Sequence, residues 1–180
     1  MNKRTILVVL LAAGFLLRIA FLLQFRGTIY FDPAKLDKYD QKTFHVWAQQ
    51  IERHPIAGNG EAFYMAPLYA HFLALVYAIS GNSVFFASLV QILLDVLAGY
   101  LLYLLGKRLF DEPTGLIALG FFMLYRTFIV YSATILSDSL ILFLNIAFIF
   151  TVYKALDTKT WRAWLVCGAV LGLGALAKPT

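Results

Sequence analysis

Residues 83–105 read SVFFASLVQILLDVLAGYLLYLL, an apolar run interrupted by a single charge, Asp95. Coiled as an α-helix, a run of this length crosses a hydrocarbon core of about 30 Å. Comparable runs occupy 5–23, 114–133, 139–155 and 163–178. The whole chain is 61% hydrophobic and 14% charged, whereas a soluble domain is about a quarter charged. The sequence therefore predicts an all-α fold, a polytopic membrane helical bundle with about five transmembrane spans. The net charge of +5 does not point to nucleic acid, because the basic residues flank the apolar runs, where membrane orientation accounts for them. Cys167 is the single cysteine, so no internal disulfide forms.

Charge sets the expected sidedness. Lys3 and Arg4 precede the first run, no small-x-small site closes it, and it reads as an uncleaved signal anchor with a cytoplasmic N-terminus. Arg18 falls near the outer end of this span, where its side chain can snorkel to the interface or pair with the loop that follows. Taking 67–80 as a second span would put Lys107 and Arg108 outside, against the positive-inside bias. Keeping 24–82 outside, with 67–80 lying in or dipping into the outer leaflet, puts Lys107, Arg108, Lys154, Lys159 and Arg162 in the cytoplasm. It also leaves Asp138 and Lys178 at the outer face. The expected location is the cell (inner) membrane, multi-pass.

The loop carries the polar chemistry. Tyr30 to Pro67 holds Asp32, Asp37, Asp40, Glu52 and Glu61, half of the ten acidic residues, with His45 and His54. Phe44, Trp47, Ala48 and Ile51 stand at i, i+3, i+4 and i+7, the stripe of an amphipathic helix that lies on a membrane surface. Asp40 immediately precedes that stripe. It suits an N-cap and equally a general base held at the membrane surface; Asp37 is its competitor. Ser137 or Asp138 suits the cap of the next span. Asp95, in mid-span, needs a partner, and Arg126, halfway along the following run, is the candidate for a buried pair. His45, His54 and His71 lack metal-binding spacing. A divalent ion on Asp37, Asp40 and Asp138 is chemically conceivable but not favoured.

Two stretches, YDQKTFHVWAQQI at 39–51 and FYMAPLY at 63–69, resemble the first outer loop of the GT-C membrane glycosyltransferases. The closest likeness is to the branch related to dolichyl-phosphate-mannose protein mannosyltransferases (family 39-type) and bacterial lipid A aminoarabinose transferases. Tyr131-Ser132 with Ser137-Asp138-Ser139-Leu140 is similar to a second acidic motif of that group, and 172–180 to its glycine-rich span ending in Lys/Arg-Pro. The resemblance implies a polyprenyl-phosphate sugar donor and inverting transfer to a lipid, glycan or protein acceptor outside the cytoplasm. No cofactor or metal is implied. Asp40 matches the catalytic Asp of the family, with Asp138 as the second catalytic candidate. Lys178 is the first candidate for the donor phosphate, followed by Arg126 and Arg53. Asp37, His45, Tyr64 and Pro67 are further donor- or substrate-binding candidates. The chain departs from some relatives in the uncharged exit Tyr64-Met65-Ala66-Pro67. Relatives also carry further spans, so 1–180 reads as one transmembrane domain from the N-terminal part of a longer enzyme. The competing class is a non-enzymatic transporter or assembly factor built on Asp95 and Arg126 as a polar pathway.

Overall fold

The computed structural model describes residues 2–37, 39–53 and 65–178. Their elements are α1 (Lys3–Phe25), two short 3-10 turns (Ile29–Phe31 and Pro33–Lys35), α2 (Asp40–Arg53) and α3 (Pro67–Ser80). There follow α4 (Val84–Leu109), α5 (Glu112–Leu124), α6 (Arg126–Ala133), α7 (Asp138–Thr158) and α8 (Trp161–Ala177). No strand occurs among the described residues.

Local chemistry sets the ends. The side chains of Asn2, Ser83 and Asp111 accept from the backbone N–H of Arg4, Phe86 and Thr114, capping α1, α4 and α5. Pro67 opens α3 where a missing N–H costs nothing, and Gly81 closes it in the left-handed region at φ +64°. Lys107 and Arg108 occupy the last turn of α4, where cations favour the dipole.

Helices α1, α4 and α7 are each long and apolar enough to cross a membrane. Helices α5 and α6 together make a fourth candidate span, broken at Tyr125 with a bend of 56°. The protein is thus a multi-pass helical membrane protein. The 14 residues of α3 reach about 21 Å, short of a hydrocarbon core, whereas the 17 of α8 reach about 25 Å, at the lower limit for a span. Where α4 crosses α5 the two backbones touch: a Cβ on Gly106 would meet Gly115 Cα at 2.8 Å, and one on Gly115 would meet the Tyr103 carbonyl at 2.6 Å. Small residues at such crossings let membrane helices close on each other.

The bundle has two chemically distinct ends. At one, Lys3 bridges to Glu112 at 3.4 Å, Lys107 to Glu112 at 3.2 Å, and Arg108 pairs with Asp157. This basic end joins the start of α1, the α4–α5 turn and the α7–α8 turn. At the other, α2 and α3 pack together on the ends of α4, α7 and α8. One apolar cluster there unites Phe44, Ala48 and Ile51 of α2 with Tyr69, Leu73 and Tyr77 of α3, Ala87 of α4, Leu140 of α7 and Ala177 of α8. The stripe expected on α2 is the face it buries, with Trp47 at the margin of that cluster.

The bundle corrects two expectations. The apolar run 114–133 is not one straight helix. Its break is stabilised by donors from neighbouring spans: Arg18 Nη1 donates to the Met123 carbonyl at 2.9 Å, which the break deprives of its usual helical partner. At the far end of α6, Gln91 Nε2 donates to the carbonyls of Ser132 (3.3 Å) and Thr134 (2.6 Å), and Ser88 Oγ to that of Ala133 (3.0 Å). Nor does Asp95 pair with Arg126. Its partner is Arg18, Nε to Oδ2 at 2.5 Å, with the two side chains 0% and 1% exposed. Arg18 shares with Gly14 and Leu22 the buried face of α1, so it turns into the bundle and does not snorkel. Arg126, the first residue of α6, is exposed.

Candidate active site

Three charged side chains singled out in the sequence each stand near a residue of the apolar cluster at the α2–α3 end. Asp40 is the first residue of α2, one helical turn from the buried Phe44, whose ring meets Tyr69 edge-on at 4.8 Å. It stands inside the first turn and not before it, so it favours the helix dipole but is not the flanking cap. Its carboxylate is exposed and makes no hydrogen bond or ion pair among the described residues. Asp138 lies in the first turn of α7, two residues before Leu140 of the same apolar cluster. Lys178 follows α8 directly, next to Ala177 of that cluster, with its side chain exposed.

Two hollows flank α7 here. An open groove of about 320 Å³ runs between α7 and α8, walled by Ile141, Leu144, Phe148, Val170 and Leu171, with Asn145 on one side and Lys178 at its end. A second cavity of about 210 Å³ lies among α4, α6 and α7, lined by Asp95, Thr127, Phe128, Tyr131, Asp138, Ser139, Ile141, Leu142 and Asn145. Ile141 and Asn145 belong to both walls, so Asp138 and Lys178 serve adjoining spaces.

The other candidates stand apart from these hollows. Asp37 is exposed and paired with Lys42, whose ammonium holds its carboxyl below the usual range. Arg53 is the exposed last residue of α2. Arg126 lines neither space. Pro67 begins α3, and its carbonyl lies 2.9 Å from His71 Nδ1. Tyr64 and His54 fall outside the described residues. His45 faces α3: its Nδ1 is 2.7 Å from the Tyr77 hydroxyl and its Nε2 is 3.2 Å from Gln49 Nε2. The amide nitrogen can only donate, so Nε2 accepts and Nδ1–H donates to Tyr77. Burial pushes its pKa down. Among the described residues, no three His, Cys, Asp or Glu side chains are grouped to hold a metal ion, so Asp37, Asp40 and Asp138 do not form one site.

Sequence reasoning passed over Asn145 and Thr127, which no motif marks; they join Tyr131 and Ser139, quoted above for their likeness to the second acidic motif, in the lining of one cavity.

The profile of the family described as dolichyl-phosphate-mannose-protein mannosyltransferase matches residues 64–180, from the entry into α3 through the whole α7–α8 hairpin. The chain belongs to that family. It is therefore a membrane glycosyltransferase of the GT-C type, and the alternative of a non-enzymatic transporter or assembly factor lapses. Asp138, Lys178 and both hollows lie within the mannosyltransferase-family match, whereas Asp40 lies before it. No curated protein and no solved structure matches the chain.

Proposed function

We propose that this mannosyltransferase-family protein transfers a sugar from a polyprenyl-phosphate donor to a hydroxyl of a lipid, glycan or protein acceptor, with inversion at the anomeric carbon. The observation that carries this reading is the groove between α7 and α8, whose lining joins the apolar side chains of Ile141, Leu144, Phe148, Val170 and Leu171 to Asn145 and Lys178. Apolar side chains beside one cation suit a lipid phosphate: isoprenoid along the apolar wall, phosphate at the ammonium. Asp40 takes the proton from the acceptor hydroxyl as its oxygen attacks the anomeric carbon from the face opposite the phosphate. The bond from that carbon to the phosphate oxygen breaks, and its electron pair leaves with the polyprenyl phosphate. Lys178 stabilises the negative charge developing there. Asp138 is the second carboxylate of the site, beside the groove.

The sidedness follows from charge. The basic end, with Lys107, Arg108, Lys154, Lys159 and Arg162, faces the cytoplasm by the positive-inside bias, and the α2–α3 end faces outward. In bacteria this would be the inner membrane.

Photo-crosslinking tests the donor assignment. A polyprenyl phosphate carrying a photoreactive group in its isoprenoid should label peptides of α7 and α8 in the full-length protein. Unlabelled polyprenyl phosphate should compete, and Lys178→Gln should weaken labelling about tenfold, as expected for loss of a charge-assisted contact. Labelling confined to other helices, or indifferent to Lys178, would refute the groove as the donor site.

A further inference from the structure

Tyr69 of α3 touches elements on both sides of the candidate active site. Its ring meets Phe44 of α2 edge-on at 4.8 Å, and Phe44 is one helical turn from Asp40. Its hydroxyl bonds to the side chain of Gln91 on α4, and both side chains are fully buried. What lies beyond fixes the direction of that bond. One end of the Gln91 amide stands 2.6 Å from the Thr134 carbonyl and 3.3 Å from that of Ser132, so this end is the donating Nε2, and Oε1 is left to accept from Tyr69. Burial pushes the pKa of the Tyr69 hydroxyl well above its usual range, with smaller contributions from Tyr77 and from the charge of Asp138. The hydroxyl therefore keeps its proton to donate, and Asp138 lies near enough for its field to be felt.

The apolar cluster that holds α2 and α3 against the spans does not fix their register, because burial of apolar surface has no direction. A hydrogen bond does have one. Thr134 opens the short turn that leads to Asp138 at the head of α7, while Asp40 heads α2. A line of contacts therefore runs from the helix of one carboxylate, through Phe44, Tyr69 and Gln91, to the turn before the other. We propose that Tyr69 and Gln91 are positioning residues for sugar transfer, their hydrogen bond setting where Asp40 stands relative to Asp138 and to the donor held beside α7. Being buried, the pair acts through α2 and the α6–α7 turn and not on the substrate itself. The inference rests on the reading of Asp40 as the base. Its consequence is large, since a misplacement of about 1 Å, even from a change far from the chemistry, can slow a reaction about a hundredfold.

The test measures transfer by the full-length protein in nanodiscs, from a polyprenyl phosphate bearing a hexose or a pentose (the best of a small panel) to membrane-derived acceptor. Rates are taken per donor-binding site, so that loss of folded protein does not count as loss of rate. Tyr69→Phe keeps the ring on Phe44 and removes only the hydroxyl. It should lower kcat about tenfold to a hundredfold and leave KM for the donor unchanged. Gln91→Met should do the same, and joining it to Tyr69→Phe should add little, because the two side chains act through one bond. Asp40→Asn separates positioning from mere support: in the Tyr69→Phe background it should cost less than in wild type, since a displaced base has less to lose. If Tyr69→Phe and Gln91→Met keep the wild-type kcat, or if the losses from Tyr69→Phe and Asp40→Asn simply multiply, the pair does not position Asp40, while the sugar-transfer reading stands. If Asp40→Asn alone transfers at the wild-type rate, or wild type uses no lipid of the panel, that reading falls, and this inference with it.

Discussion

His45 is held between opposing demands. Packing of α2 on α3 half-buries the ring and lowers its pKa from 6.5, while the charge of Asp32 works more weakly in the other direction. The neutral ring satisfies both neighbours, with Nδ1–H donating to Tyr77 and Nε2 accepting from Gln49. A protonated ring has only donors, so the Gln49 contact turns repulsive. The unfolded ring takes up its proton near 6.5 and the folded ring only at lower pH. This contribution to α2–α3 docking is therefore complete above about 6.5 and is lost as the pH falls below it. Amide exchange in α2 should accelerate between pH 7.5 and pH 5, and a His45→Gln variant should lose most of that dependence. An exchange rate flat across this range would show that His45 docks α2 without titrating.

At the scale of elements, the broken span matters most. One face of α4, carrying Ser88, Gln91 and Asp95, serves both the break and the far end of α6. Ser88 and Gln91 occupy the carbonyls at the end of α6, and Asp95 fixes the Arg18 guanidinium that occupies the Met123 carbonyl at the end of α5. A cation at the C-terminal end of a helix also favours its dipole. Removing one member of a buried pair strands the other, at a cost of about 3–5 kcal/mol, whereas an apolar replacement of both is often nearly neutral. Arg18→Met and Asp95→Leu should each lower stability in thermal or detergent unfolding by that order. The double variant should recover most of the loss, though not all, because Met cannot donate to the Met123 carbonyl. Additive losses in the double variant would mean that the two side chains act independently.

For the molecule as a whole, the spans were legible because lipid imposes length and hydropathy directly, and α2 was legible because Phe44, Ala48 and Ile51 recur at the helical period. The partner of Asp95 was not. Periodicity tells which residues turn inward on one helix but not which helix stands opposite, and Arg18 is distant in sequence although adjacent in space. The break at Tyr125 carries no proline; the Met123 carbonyl beside it accepts from Arg18 on α1, so nothing local announces it. The cavity that joins Thr127 and Asn145 to Asp138 lies against α6 beyond that break and was hidden for the same reason. Asp40, Asp138 and Lys178 stand out in the sequence as charges beside apolar runs, and Phe44, Leu140 and Ala177 near them share one apolar cluster. The account turns on Asp40 acting as the base of a sugar transfer from a polyprenyl phosphate. The direct measurement is transfer by the purified full-length protein, wild type against Asp40→Asn, with sugar-bearing polyprenyl phosphate and membrane-derived acceptor. Asn keeps the shape and the place at the head of α2 but cannot take a proton, so the rate should fall by about a hundredfold or more, with donor binding unchanged. Transfer at the wild-type rate by Asp40→Asn would contradict the account.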